Sequence, residues 1–237
     1  SVYDALLIQS GVQRVDTIAE LFDYAALYTT QPLPKGNRVA IITNAGGPGI
    51  MATDAAVRHG LKLAEISDET KARLKPALPD AASLRNPVDV IGDAKSDRYK
   101  AAVHTVLEDP GVDMGIVILT PQSMTDVEET AAVVPEVTRG IDKPVVCSFM
   151  GAKDVAPGVN ILRKAGVPSY PFPEDAVKSL AAASKLVDLM EIPRRELPKL
   201  DHIDVDKTRK LIAEALDGHD HRYLTQAECR PILEAYG

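Results

Sequence analysis

The sequence predicts an α/β fold: a doubly wound parallel sheet of five strands with helices on both faces. Three observations carry that reading. Between residues 37 and 190 short β-branched runs alternate with single amphipathic helices. A crossover of that length is what parallel neighbours require. The runs at 39–43, 114–120 and 145–150 are largely apolar rather than alternating, which suits a sheet covered on both faces. Finally, Gln31-Pro-Leu-Pro-Lys-Gly36 and Glu191-Ile-Pro-Arg-Arg-Glu-Leu-Pro-Lys-Leu200 bracket the alternation, and their prolines forbid helix there.

Taken in order, strands are expected at residues 39–43, 61–66, 114–120, 145–150 and 169–172. Helices are expected at 49–59, 69–77, 96–108, 127–138 and 158–165, with a closing helix from about 173 to 190. The first strand, Val39-Ala-Ile-Ile-Thr43, is β-branched, and the Ala-rich helix after it stops at Gly60, a C-terminal glycine signal. Five strands in this succession suit a flavodoxin-like order, with ligands at the C-terminal strand ends. Residues 1–29 read as two helices, the second with Ile18, Leu21, Phe22, Ala25 and Leu27 at helical spacing and Asp16 as N-cap. Residues 205–216 and 226–235 read as two more, with Thr225 capping the last. The expected domains are therefore 1–35, a helical tail of a preceding domain; 36–190, the α/β domain; and 191–237, a linker opening a further domain. With no initiator Met and a start inside a helical pattern, the sequence reads as a piece of a longer protein.

Composition removes several function classes. A net charge of -7 argues against nucleic acid, whose affinity comes from lysine and arginine on phosphates. No apolar run approaches the roughly 18 residues that span a bilayer, and no segment has the parts of a signal peptide. Cys147 and Cys229 are far apart without metal-ligand spacing, and Cys147 reads as a small buried residue. A cytoplasmic setting fits these features.

The most informative stretch is Thr43-Asn-Ala-Gly-Gly-Pro-Gly-Ile50. A strand runs into three glycines and then a helix, which leaves bare N–H groups and a helix dipole facing outward. Its spacing fits neither the dinucleotide fingerprint nor the P-loop, and no lysine follows. Two readings stay open: a site for one phosphate or another compact anion, or a tight turn whose glycines serve packing. On the first, Gly46, Gly47, Gly49 and Ile50 supply the amides, with Asn44 and Ala45 beside them. The same rim receives Asn86 and Asp89 from Arg85-Asn-Pro-Val-Asp-Val90, and Thr120, Pro121, Gln122 and Ser123 from the loop after the 114–120 strand. Lys153 adds a positive charge. This set can hold anions and orient carbonyls, but it pairs no nucleophile with a base; Ser123 has no nearby histidine. Among the five histidines, which include His202, His59 suits a helix C-terminus as a cation, His104 lies mid-helix, and His219-Asp-His221 reads as a solvated turn rather than a metal pair. No metal site is expected.

Together these motifs resemble the ADP-forming (NDP-forming) acyl-CoA synthetases, relatives of succinyl-CoA synthetase. The residues are Thr43 to Asp54, Asn86-Pro-Val-Asp89 and Leu119-Thr-Pro-Gln-Ser-Met-Thr-Asp126. Ser1-Val-Tyr-Asp-Ala-Leu-Leu7 and Gly11-Val-Gln-Arg-Val-Asp16 are similar to the end of the preceding domain in the fused enzymes, and Arg222 to Gly237 to the first helix of an ATP-grasp domain. The resemblance implies conversion of acyl-CoA, ADP and phosphate to acid, CoA and ATP through acyl phosphate and a phosphohistidine. That histidine is expected upstream of Ser1, so no catalytic residue is expected within the chain. CoA, ATP or ADP and Mg belong to the full protein rather than to this piece alone. The implied partners are acyl-CoA and phosphate, the CoA-binding and ATP-grasp domains of the same or a partner chain, and other subunits of an oligomer. An alternative is the synthetase-like, acyl-CoA-sensing region of a protein lysine acetyltransferase. A flavin-binding flavodoxin ranks below both, since three Phe and no Trp leave little to stack on a ring.

Overall fold

The structure is a computed structural model that describes residues 2–191 and 203–236. His202 and the linker expected at 191–200, apart from Glu191, lie outside the described residues. The chain divides into two compact units, 1–192 and 193–237.

In the first unit, strand β1 (Arg38–Thr43) lies at the heart of a parallel sheet with β2 (Lys62–Leu63), β3 (Val88–Asp89), β4 (Met114–Leu119) and β5 (Val145–Phe149). β4 pairs with β1 along its length, Ile41 opposite Ile116, and β5 continues outward, with Val146 opposite Ile116. β2 and β3 share the other edge of β1, one at each end. This is the doubly wound order expected. Alternate strand residues serve opposite faces. Val39, Ile41, Met114, Ile116 and Val146 pack under helices α2 (Ile18–Thr30), α3 (Gly46–Arg58) and α8 (Pro173–Glu191). Ala40, Ile42, Val117, Leu119 and Cys147 pack in the opposite core with α5 (Ser96–Glu108), α6 (Val127–Thr138) and α7 (Ala156–Lys164). α4 (Asp68–Leu74) completes this layer beside α5. Burial of each large aliphatic side chain contributes about 1.5–3 kcal/mol. Burial also pushes the Cys147 thiol pKa up, away from the reactive thiolate.

Several local expectations need correcting. Residues 169–172 form a single bridge, Ser169 to Cys147, flanked by bonds through Pro168 O and Tyr170 N; Pro171 has no N–H with which to extend a ladder. The strand expected at 61–66 pairs only at Lys62 and Leu63. The two-residue β3 was not foreseen. The first helix of the sheet domain starts at Gly46, three residues earlier than expected.

Before β1, α1 (Val2–Gln9) buries no residue. α2 is N-capped by Thr17 rather than Asp16: Glu20 N donates to Thr17 Oγ1 (3.1 Å) and Asp16 N to Glu20 Oε2 (2.8 Å). The expected apolar stripe of α2 faces outward, with Ile18, Leu21 and Phe22 exposed. The helix instead buries Leu27 and Glu20, the latter paired with Lys178 of α8. Gln31 then ties this region to the sheet, accepting from Val145 N (2.9 Å) and donating to Gly166 O (2.8 Å).

The second unit contains α9 (Val205–Leu216) and α10 (Gln226–Tyr236), packed on each other and joined by Asp204 N to Ala235 O (2.9 Å). Thr225 and Glu228 form a reciprocal cap at the start of α10: Thr225 N donates to Glu228 Oε2 (2.8 Å) and Glu228 N to Thr225 Oγ1 (3.4 Å).

Candidate functional site

The C-terminal ends of β1, β3, β4 and β5 converge on one rim, and specific contacts lock their loops together. At the end of β1, Thr43 Oγ1 donates to Ala45 O (2.9 Å) and accepts from Ala45 N (3.1 Å), which turns the chain sharply into α3. Asn44, almost fully buried, clasps the loop after β4: its Nδ2 donates to Thr120 O (2.8 Å) and its Oδ1 accepts from Thr120 N (2.9 Å). Asn44 therefore positions the two loops, and both polar ends of its amide are already engaged.

The three glycines of the turn have two different reasons. A Cβ at Gly49 would stand 3.0 Å from Thr43 Cγ2 and 3.5 Å from Pro87 Cβ, so packing of α3 on β1 demands its absence. At Gly47 a Cβ would meet nothing within 4 Å, and at Gly46 only Asp89 Oδ2 at 3.9 Å. Both residues are exposed. Packing does not explain them, and each costs about 1 kcal/mol of helix propensity relative to alanine. What they provide is an unobstructed helix N-terminus. Because the helix begins at Gly46, however, the donor set is smaller than the sequence suggested. Gly49 N–H already bonds Ala45 O (3.3 Å), Ile50 lies one turn inside the helix, and Pro48 has no N–H. Ala45 N is taken by Thr43. The amides of Gly46 and Gly47 remain.

Asp89 is brought beside this turn. Its Oδ1 accepts from Ile91 N (2.9 Å) while Oδ2 faces Gly46. Asn86, expected on the rim with it, is used elsewhere. Its Nδ2 donates to Val39 O (2.7 Å) and Ala64 O (3.0 Å), and its Oδ1 accepts from Ile41 N (2.9 Å). The side chain thus fills the gap between β2 and β3 along the edge of β1 and stands in for a strand.

In the loop after β4, Thr120 Oγ1 is buried without a hydrogen-bond partner. Gln122 N donates to Thr125 Oγ1 (2.9 Å), and the Gln122 amide lies over Gly92, where a Cβ would approach it to 2.7 Å. Pro121 leans on Gly151 after β5 in the same manner, its Cγ 2.9 Å from a Cβ there. Ser123 and Lys153 are exposed beyond these contacts. Sequence reasoning missed Gly92 and Gly151, the two close approaches that join the loops; isolated glycines carry no sign of what crosses them. It also missed Ile91, which holds φ 70°, a region β-branched residues avoid.

Within the first unit, His59 and His104 lie away from this rim. His59 sits at the C-cap of α3, where burial, then the charges of Lys178, Lys185 and Arg58, hold its pKa below the usual value. That favours the neutral ring over the cation expected there. His104 faces Glu108 (3.4 Å) on the surface of α5. His219 and His221 are exposed. Among the described residues no group of three or more His, Cys, Asp or Glu could hold a metal, and no helix is long and apolar enough to cross a membrane.

A family model described as Ligase-CoA domain matches residues 39–188, the stretch that contains the sheet and the glycine turn. The chain belongs to the Ligase-CoA domain family. Over 237 residues this Ligase-CoA chain is 35% identical to the ADP-forming 4-hydroxybutyrate–CoA ligase of Nitrosopumilus maritimus, covering 100% of the chain and 33% of that protein. It is 42% identical over 192 residues to the alpha subunit of ADP-forming acetate–CoA ligase II of Pyrococcus furiosus, covering 78% of the chain and 41% of the subunit. Among solved structures it superposes with TM-score 0.76 and 27% identity on acetyl-coenzyme A synthetase 1 of Ca. Korarchaeum cryptofilum, in a complex with phosphate and ADP, covering 82% of the chain and 43% of that one. The chain thus spans about a third of the length of the 4-hydroxybutyrate ligase.

Proposed function

We propose that this chain is the Ligase-CoA part of an ADP-forming acyl-CoA synthetase, and that its share of the reaction is to hold phosphate and the phosphoryl group in transit. In the complete enzyme phosphate displaces CoA from the acyl thioester, giving acyl phosphate and free CoA. The phosphoryl group then passes to a histidine outside this chain, releasing the acid, and from histidine to ADP. The observation that supports this role is the pair of exposed glycines, 46 and 47, which packing does not require and which open the N-terminus of a 13-residue helix. A phosphoryl group in transfer carries charge that fixed N–H donors stabilise. Thr120 Oγ1, buried without a partner on the same rim, and the Gln122 amide, which lies over Gly92, are suited to the acyl phosphate oxygens; Asp89 and Ser123 flank them, with Pro121 as the wall.

CoA, the nucleotide and Mg are assigned to the CoA-binding and ATP-grasp regions, in the same polypeptide or in a partner subunit of an oligomer in the cytoplasm. No observation favours the acyl-CoA-sensing acetyltransferase reading. The test is ATP formation from acyl-CoA, ADP and phosphate by the complete enzyme. Gly47→Asp sets a side chain and a like charge beside the two free amides and is expected to lower turnover by about 10²–10³-fold, the usual effect of disabling an oxyanion donor, without lowering the melting temperature. A variant within twofold of the parent rate would contradict the proposal.

A further inference from the structure

The polar rim can hold a phosphoryl group and a carbonyl, but it contains nothing that would shelter a hydrocarbon. Next to it lies a cavity that does. At the C-terminal end of β5 a pocket of about 580 Å³ opens between the loop after β5, the first two turns of α7 and residues 169–172. Its walls are Phe149, Val155, Val159, Tyr170, Pro171 and Phe172, and Asn160 stands among its few polar residues. Two of the chain's three phenylalanines are here. Phe172 is 58% exposed, although it belongs to the wall of an apolar pocket. Pockets of this volume, apolar with few polar groups, are the usual form of small-molecule sites.

Its position ties it to the phosphate rim. Gly151, at φ 123°, allows the loop after β5 to close on Pro121, so the pocket wall and the rim residue touch. β1, β4 and β5 are consecutive neighbours in the sheet. Two interstrand spacings, about 10 Å, therefore separate the glycine turn from the inner end of the pocket. An acyl phosphate with its phosphoryl group at Gly46 and Gly47 and its carbonyl near Thr120 would direct its tail along the strand ends toward Val155. An acetyl group is too short to arrive there; a medium-length chain is not.

We propose that this pocket receives the hydrocarbon tail of acyl groups longer than acetyl, and so sets the chain-length preference of the site. The proposal rests on the synthetase reading above. Ala156 lines the pocket, is exposed, and belongs neither to the rim nor to the core. In the complete enzyme, kcat/KM is to be measured for acetyl-CoA and hexanoyl-CoA with the parent and with Ala156→Trp. The expected result is a fall of at least tenfold for hexanoyl-CoA and less than twofold for acetyl-CoA, at unchanged melting temperature. Equal changes for both substrates, no change for either, or a parent enzyme that uses acetyl-CoA but not hexanoyl-CoA would each overturn the proposal. Absence of turnover with every acyl-CoA would count against the synthetase reading instead. The pocket is then decided by methyl NMR of the same protein: shifts at Val155 and Val159 with hexanoyl-CoA but not with CoA support it, and their absence overturns it.

Discussion

Replacing Asn86 by alanine separates a structural role from a ligand-binding one. The amide joins three backbone groups in the gap between β2 and β3: Val39 O (2.7 Å), Ala64 O (3.0 Å) and Ile41 N (2.9 Å). Without it Val39 O keeps a bond from Ala64 N (2.9 Å), but Ile41 N–H loses its partner inside a residue with no exposed surface. An orphaned buried donor costs about 1–3 kcal/mol, and the lost bond at Ala64 O adds about 1. The expected destabilisation is about 3 kcal/mol, equivalent to roughly 6–12 °C in melting temperature for a protein of this size. Asn86→Asp should be no milder, since it keeps the acceptor for Ile41 but turns a carboxylate oxygen toward two carbonyls. Urea unfolding followed by circular dichroism measures the effect, and phosphate titration of the folded variant tests the site. Stability within 0.5 kcal/mol of the parent, together with weakened phosphate binding, would refute the reasoning and return Asn86 to the ligand.

The glycine turn gives a paired prediction: Gly49→Ala should destabilise by about 1–3 kcal/mol through the 3.0 Å contact with Thr43, while Gly47→Ala should be neutral or stabilise by up to about 1 kcal/mol, both read from thermal melts. Asp89→Asn removes a carboxylate facing Gly46 and should tighten phosphate binding about fivefold, near 1 kcal/mol after solvent screening; calorimetry that finds weaker binding would make Asp89 a ligand for the phosphate proton rather than a repulsive neighbour. Away from the site, burial raises the Asp109 pKa, but bonds from Thr70, from the Ser67 amide and hydroxyl and from Gly111 N outweigh it and lower the value from 3.8 to about 2. The bonded ionised form therefore stabilises the fold by about 2 kcal/mol above pH 4, and this is lost as the pH falls toward 2. Urea midpoints of the parent and of Asp109→Ala should differ at pH 7 and converge near pH 2.

Much of this arrangement could be read before the structure. β1, β4 and β5 are runs of buried β-branched and apolar residues between helices, and such runs have few alternatives. Their succession fixed the parallel order, and the glycine turn fell at the strand end where ligands bind. What escaped depends on side chains that replace backbone. Residues 88–89 hardly resemble a strand, because only two residues pair with β1 and the Asn86 amide fills the rest of that edge. Residues 169–172 resemble one, but Pro171 stops the pairing. α2 presents an apolar stripe to solvent because the Glu20–Lys178 pair and Leu27 set its rotation against α8. At the rim the loops were placed correctly in kind, but the start of α3 was not. Three residues of extra helix consume the Gly49 and Ile50 amides and leave two donors.

The most direct measurement is a phosphate titration of the isotopically labelled protein followed by amide NMR. Shifts should be largest at Gly46 and Gly47, extend through Asn44, Asp89 and residues 120–122, and weaken in Gly47→Asp. Shifts confined to His219 and His221, or none at high phosphate, would show that the glycine turn is a packing turn and holds no anion.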